Sequence, residues 1–395
     1  MKVRARSGDS FWYYSQLFRI PLNLITDSNP DLNPARLQIG QEIEIPGFIS
    51  RSYTIRENDT FWKLSATGNM SVDALLLLNQ NVNPNQLKAG ENILLPVRVT
   101  SPIVNGKREY NYQVLQADIN KLKEIYPFLN INLIGKSVFG LPIQQIRLGN
   151  GQKKVQMNAS FHANEWITTS ILMSYLNTFL LSLTNSTLIR GLSTLPLYNS
   201  VDLTIIPMVN PDGVNLVLNG PPEEMRESVM KINKGSTDYT GWKGNIRGID
   251  LNKQFPAKWE IEKERKEPKA PAPRDYPGDT PLTEPEAIEM ANLARMIDFD
   301  RMLAFHTQGK EFYWGYEGLE PSESERIANE FARVSGYKSV RYIDSHAGYR
   351  DWFIQEFRRP GFTIELGEGT NPLPLSQFDQ IYEEVLGIFL AALYM

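Results

Sequence analysis

Three histidines occur in the 395-residue chain, and two of them stand in settings that suit metal chemistry. His162 opens the run His-Ala-Asn-Glu-Trp, an H-x-x-E pair with Glu165, directly after a strand-like stretch at 155–160. In an extended-to-turn segment an imidazole nitrogen and a carboxylate oxygen can converge on one ion at about 2.0–2.2 Å. His306, in Leu-Ala-Phe-His-Thr-Gln-Gly, ends a second strand-like run and is the natural third ligand. Three protein ligands with one position left for water are the pattern of a catalytic zinc. Alone, H-x-x-E is a weak signal, because a histidine at a strand end is more often a hydrogen-bonded structural residue. The chain has no cysteine, so thiolate zinc sites, disulfides and a cysteine nucleophile are excluded together.

The elements that must position these groups follow from periodicity. Residues 113–125 and 167–183 have helical period, and strands are expected at 143–147, 155–160, 201–208, 302–306 and 362–366. The last of these carries Glu365. Thr283-Glu284-Pro285-Glu286 reads as a capping box with proline in the first turn of a helix over 284–298, and residues 378–395 form a closing amphipathic helix. Asn210-Pro211-Asp212-Gly213 reads as a scaffold turn. Buried strands alternating with helices imply a twisted, largely parallel sheet covered on both faces, an α/β architecture. The turn-rich stretch 100–107 marks a boundary, so this domain is expected over 109–395.

The first 46 residues fall on residues 51–96 when shifted by 50 positions, without a gap. Twelve positions are identical: Arg6/Arg56, Asp9/Asp59, Phe11/Phe61, Trp12/Trp62, Ser15/Ser65, Asn29/Asn79, Asn33/Asn83, Pro34/Pro84, Leu37/Leu87, Gly40/Gly90, Ile43/Ile93 and Pro46/Pro96. Each copy reads as a small strand–helix–helix–strand (βααβ) unit, at 1–48 and 49–98. Strands are expected at 4–6 and 53–56. Helices start after the caps Asp9-Ser10 and Asp59-Thr60, and second helices run over 22–28 and 72–79. Short apolar strands follow at 43–45 and 93–95, each closed by a proline. Trp12 and Trp62 are expected to fill the two small cores. The repeated residues resemble the lysin motif (LysM), whose members bind N-acetylglucosamine-containing glycans, chiefly peptidoglycan and chitin.

After His162 the sequence runs through PMVNPDGV at 207–214, WKGNIRGIDLNKQFP at 242–256, YPGDTPLTEPEA at 276–287, LAFHT at 303–307 and FTIELG at 362–367. This ordered string resembles the zinc carboxypeptidase (funnelin) family over about 109–395. The resemblance implies a carboxypeptidase-like twisted mixed sheet with helices on both faces, and one zinc per chain held by His162, Glu165 and His306. It makes Glu365 the general base and gives the terminal carboxylate of the substrate to Asn252. Lys253 stands where the family usually has Arg, and loses the two-pronged fork. Lys243 falls where many members place the Arg that polarises the scissile carbonyl; Arg247 could substitute, and the choice between them stays open. For the tyrosine that covers bound substrate, Tyr342 and Tyr349 are both candidates. Arg350 precedes the family dipeptide Asp351-Trp352 and so lies at the base of the pocket for the departing side chain, where it should select a carboxylate.

Two LysM units on such a domain resemble the bacterial γ-D-glutamyl-L-diamino acid endopeptidases, which cut the peptidoglycan stem peptide between D-Glu and meso-diaminopimelate. The partners expected are then peptidoglycan glycan for the repeats and stem peptide for the large domain. Two other readings stand beside this one: a metallocarboxypeptidase removing C-terminal acidic residues, and a non-catalytic wall-binding protein. With 41 Lys+Arg against 45 Asp+Glu, a net charge of −4 and no basic block, nucleic acid is not an expected partner. No apolar run is read as a membrane span, and the N-terminus lacks the apolar segment of a signal peptide. A cell-wall-associated or extracellular location is expected, with spore-associated and cytoplasmic muropeptide processing left open.

Overall fold

The computed structural model describes residues 1–34 and 36–395, and these form two compact units. One comprises Met1–Ile103, Asp118–Asn130 and Asn177–Leu195; the other comprises Val104–Ala117, Ile131–Leu176 and Pro196–Met395. Two stretches that the sequence reading assigns to 109–395 therefore lie within the first unit. There Arg98 Nη1 donates to Thr184 O at 2.7 Å, Asn185 Nδ2 to Val99 O at 3.0 Å, and Gly47 N to Ile125 O at 2.8 Å.

Both repeats fold as strand, helix, helix, strand. In the first, β1 (Lys2–Arg4) pairs antiparallel with β2 (Glu42–Glu44) around helices Phe11–Phe18 and Leu22–Ser28. In the second, β3 (Phe48–Thr54) pairs antiparallel with β4 (Asn92–Arg98) around helices Phe61–Gly68 and Val72–Leu78. The repeated residues do repeated work. Ser10 and Thr60 accept from the backbone N–H three residues on, at 3.1 Å in each copy, which caps the first helix. Asn29 and Asn79 each bridge the second helix to the last strand, donating to Glu44 O or Leu94 O at 2.9 Å and accepting from the same residue's N–H at 2.8 Å.

Two details differ from expectation. Trp12 and Trp62 are not core residues: they are 64% and 72% exposed, and Phe11 and Phe61 fill the interior instead. Adjacent residues on these eight-residue helices point about 100° apart, so only one of two neighbouring aromatics faces the small core. Pro96 does not end its strand but lies inside β4, opposite Ser50; a two-stranded ribbon has free edges that tolerate a missing N–H.

The second unit is built on an eight-stranded mixed sheet. Its strands are β5 (Asn130–Lys136), β6 (Pro142–Leu148), β7 (Lys153–Ala159), β10 (Val201–Ile206), β11 (Arg301–Thr307), β12 (Glu311–Tyr313), β13 (Lys338–Val340) and β14 (Gly361–Leu366), a small hairpin of β8 (Leu188–Ile189) and β9 (Leu192–Ser193) intervening in the chain. The order is β13-β12-β14-β11-β7-β10-β6-β5. The centre is parallel (β14 with β11, β11 with β7, β7 with β10), and the flanks turn antiparallel at β12–β14 and β10–β6. Buried on both faces, β10 and β11 carry the near-continuous apolar runs that such strands require.

The helix Pro285–Ile297 has Pro285 in its first turn, but the expected capping box does not form. Gln254 Oε1 takes the Thr283 hydroxyl at 3.0 Å, and Glu286 turns away to accept from Val138 N at 3.1 Å. The segment Ala163–Asn185 has the length and apolarity of a membrane span, but 83% of an apolar 18-residue stretch within it is buried inside the protein, so no membrane span is shown.

Candidate active site

In open α/β sheets ligands gather outside the carboxyl ends of the parallel strands. That is where β7, β11 and β14 bring the expected residues. At the end of β7, Ser160 adopts a left-handed backbone (φ 51°), which turns the chain. Its N–H donates to the Thr168 hydroxyl at 3.0 Å, and its own hydroxyl lies 2.7 Å from that of Thr169. The turn delivers His162 and a single 3-10 turn, Ala163–Glu165. His306 sits near the end of β11, its ring stacked on Phe161 with centroids 6.1 Å apart. Glu365, on β14, is the register partner of His306.

His162, Glu165 and His306 form one buried cluster whose candidate donor atoms all lie within 4.8 Å of one another. His162 Nδ1 is 2.9 Å from Glu165 Oε1, His306 Nδ1 is 2.9 Å from Glu165 Oε2, and the two Nδ1 atoms are 3.2 Å apart. His162 Nε2 faces Asp250 Oδ1 at 3.2 Å. A proton held there by the carboxylate leaves Nδ1 as a lone pair aimed into the cluster. Two imidazole nitrogens and a carboxylate then face one another with electron pairs, an arrangement that fits a cation and suits zinc by donor type. The surrounding charges favour a positive charge at this point. Burial disfavours charge on His162, but Glu165 and Asp250 outweigh it and push its pKa up to about 9, against Lys243. Burial likewise opposes ionised Glu165 and Asp250; the His162 interaction overcomes it and holds both well below the usual carboxylate range.

Glu165 is further steadied by Thr307 N at 3.3 Å and Asn371 Nδ2 at 3.4 Å, and Asn371 accepts from the Thr307 hydroxyl at 2.7 Å. Asp250 and Asn371 were assigned no role from sequence. Asp250 stood two residues before Asn252 in the quoted string, so its signal was present; Asn371 carried none.

The remaining expected residues separate. Burial opposes the Lys243 ammonium, but the charges of Glu165, Asp250, Asp275 and Glu365 outweigh it and raise its pKa. Arg247 is half exposed and turned to Glu284 Oε2 at 3.5 Å. Burial, with the Glu165 charge, pushes Glu365 up to about 8. Asn252 accepts from Tyr349 N at 3.0 Å and has its Nδ2 3.5 Å from His306 Nε2. Lys253 is committed elsewhere, to Glu262 Oε1 at 2.6 Å and Ser345 Oγ at 2.7 Å. Tyr349 is a core residue, packed among Phe161, Phe255 and Trp352 with its hydroxyl on Gln156 at 2.8 Å, and is not placed to cover a substrate. Tyr342 is exposed, its hydroxyl on Glu320 at 2.9 Å. Arg350 is buried; Asp351 Oδ1 accepts from its Nε at 3.0 Å and also from Nη2. Asn210 caps the helix Pro211–Asn219 and ties it to Phe161 O and Gly244 O at 3.1 Å, the scaffold role expected of it.

Comparison with known proteins agrees with this geometry. A family model described as zinc carboxypeptidase matches residues 115–387, and one described as LysM domain matches 3–46 and 53–96. The chain is 61% identical over 397 aligned residues, 100% of both chains, to gamma-D-glutamyl-L-diamino acid endopeptidase 1 of Lysinibacillus sphaericus. It is 48% identical over 305 residues to the uncharacterized protein YqgT of Bacillus subtilis (strain 168), covering 75% of this chain and 81% of that one. Bovine thrombin-activatable fibrinolysis inhibitor, solved in complex with tick carboxypeptidase inhibitor, superposes with a TM-score of 0.58 at 18% identity, covering 73% of this chain and 97% of that one. Carboxypeptidase A from Helicoverpa armigera gives 0.56 at 19% identity, covering 73% of each. Likeness at such identities speaks for the fold alone. The chain belongs to the zinc carboxypeptidase family of metallopeptidases and carries two LysM domains in its first hundred residues.

Proposed function

We propose that the protein is a zinc-dependent peptidoglycan hydrolase that cuts the γ-D-glutamyl–meso-diaminopimelate bond of stem peptides, held at the cell wall by its LysM domains. The observation that carries this reading is the buried cluster of His162, Glu165 and His306 with Glu365 on the neighbouring strand. It occurs in a chain alignable from end to end with an enzyme named for that activity. Arg350 supports the choice of substrate, because meso-diaminopimelate presents a second carboxylate at the end of its side chain, and a guanidinium is the group that binds carboxylates through paired donors.

His162, Glu165 and His306 would hold one zinc per chain, with Asp250 fixing the His162 tautomer. Bound there, zinc would supply Lewis acidity to the scissile carbonyl and to the attacking water. Glu365 takes the proton from that water and passes it to the leaving amine. Its raised pKa favours the second half of that task, and a nearby dication favours the first. Lys243 stabilises the charge that develops on the carbonyl oxygen, since its ammonium interacts electrostatically with Glu165 and Glu365 while Arg247 is turned to Glu284. Asn252 positions the leaving residue, and Tyr342 covers it.

The rival metallocarboxypeptidase reading separates by substrate. The full-length protein is offered L-Ala-γ-D-Glu-meso-diaminopimelate and an ordinary α-linked peptide ending in Glu. Cleavage of the first with little of the second is the expected result. Preference for the second would make the protein an acidic-residue carboxypeptidase, and cleavage of neither would favour a non-catalytic wall-binding protein.

A further inference from the structure

The sheet face that carries Glu365 carries a second set of charges. Residues directly opposite one another on paired strands share a face, and the register sets Glu311 opposite Glu365 and Tyr313 opposite Thr363. Along β14, Gly361, Thr363 and Glu365 alternate onto that same face. Arg350 rests on it at Gly361, where an added Cβ would lie 3.4 Å from Arg350 Cγ. The guanidinium stands over the Tyr313 ring, 5.6 Å from its centroid. Tyr313 in turn donates its hydroxyl to Glu311 Oε1 at 2.5 Å. A cation, a ring and an anion thus stand in a row beside the candidate base.

Both ends of the row have capacity left. Asp351 occupies Nε and Nη2 of Arg350, so Nη1 has no protein acceptor among the described residues, although Arg350 is only 5% exposed. Glu311 Oε2 meets Lys338 Nζ at 3.4 Å, and the Lys338 side chain is 75% exposed. A solvated pair of this kind contributes little and gives way readily to a better-placed ammonium.

We propose that Arg350 and Glu311 together read the zwitterionic end of the diaminopimelate side chain, Arg350 taking its carboxylate and Glu311 its ammonium, with Tyr313 setting the spacing between them. This rests on the diaminopimelate reading of the substrate. Lysine offers only the ammonium and a plain dicarboxylic residue only the carboxylate, so neither satisfies both ends. The fixed order of the two charges also reads the configuration of the distal centre, because the opposite epimer presents them exchanged.

The test uses the full-length protein and three peptides, L-Ala-γ-D-Glu-X, with X as meso-diaminopimelate, L-2-aminopimelate or L-lysine. Aminopimelate keeps the distal carboxylate and lacks the amine. The unmodified protein should favour diaminopimelate over each of the others by roughly 10- to 150-fold in kcat/KM, the effect of one charge-assisted contact. Glu311→Gln should bring the diaminopimelate-to-aminopimelate ratio toward one. Arg350→Gln should do so for the diaminopimelate-to-lysine ratio. Tyr313→Phe keeps the ring under Arg350 and releases Glu311, so it should lower the first ratio and spare the second. Rates that fall while both ratios hold would overturn the proposal, as would equal cleavage of diaminopimelate and aminopimelate by the unmodified protein. Failure to cut any of the three overturns the substrate reading itself, a different result from cleavage without discrimination.

Discussion

The Lys253 ammonium lies 2.6 Å from Glu262 Oε1, and the carboxylate it meets is wholly buried. Arg265 and Lys266 approach the same carboxylate, at 2.6 and 3.8 Å. Removing Lys253 to serve a substrate would disturb a buried pair, which is costly. Among the described residues, no free cation therefore stands at the position that the resemblance gives to the terminal carboxylate. Amidating the main-chain carboxylate of the leaving residue should cost less than about tenfold in kcat/KM, because the Asn252 amide can donate to a carbonyl as well as to a carboxylate. Steady-state kinetics on the tripeptide acid and amide check this. A loss beyond about a hundredfold would mean that Lys253 leaves Glu262 to bind substrate.

Asp250 Oδ1 faces His162 Nε2 and also accepts from the Asn252 backbone N–H at 3.0 Å. Asp250→Asn should lower zinc affinity by about 10- to 100-fold, the usual effect of losing a partner that orients a metal-binding histidine. Competition against a chelator gives the affinity directly, and unchanged affinity would show that Asp250 does not set the His162 tautomer.

Glu286 is wholly buried, and burial pushes its carboxyl from 4.5 up to about 7, with Asp212 and Glu284 adding to the effect against the Val138 N–H. The folded chain thus holds its proton more tightly than the unfolded one. The stabilisation is complete below pH 4.5 and is lost as pH rises through 7, a change of at most about 3 kcal/mol. Glu286→Gln, which mimics the protonated form, should raise stability at pH 8 relative to the parent and leave it nearly unchanged at pH 4.5. Urea midpoints at the two pH values decide it; equal effects at both would remove Glu286 from the pH dependence.

In the repeats, Trp12→Ala and Trp62→Ala should each change stability by no more than about 0.5 kcal/mol, since both rings are exposed. Phe11→Ala and Phe61→Ala should cost about 3–5 kcal/mol each, because both rings are buried. Denaturant titration of the four full-length variants tests the assignment of which aromatic is core, and a reversed ranking would restore the tryptophans to the interior.

Much of this was legible in the sequence for identifiable reasons. The cap residues Ser10 and Thr60 act locally, so their spacing from the helix start sufficed to place them. The strands carrying His306 and Glu365 announced themselves as apolar runs because they are buried on both faces. What escaped was non-local or directional. Which ring of a Phe-Trp pair turns inward depends on helix rotation, which composition does not encode. The failed capping box at Thr283 depended on Gln254, about thirty residues earlier in the chain. The Lys253–Glu262 pair and the seating of Tyr349 in the core arise from packing between elements, so sequence spacing reveals neither residue's partner.

Metal-dependent cleavage of a single bond is tested by a mass-analysed digest. Purified full-length protein with its zinc content measured is incubated with diaminopimelate-containing muropeptides, beside His162→Ala and Glu365→Gln. The predicted result is one zinc per chain and release of fragments ending in γ-D-Glu. His162→Ala should lose both metal and cleavage. Glu365→Gln should keep the metal and lose about 10²- to 10⁴-fold in turnover. Cleavage at any other bond, or full activity in His162→Ala, would show that the buried cluster does not carry this reaction.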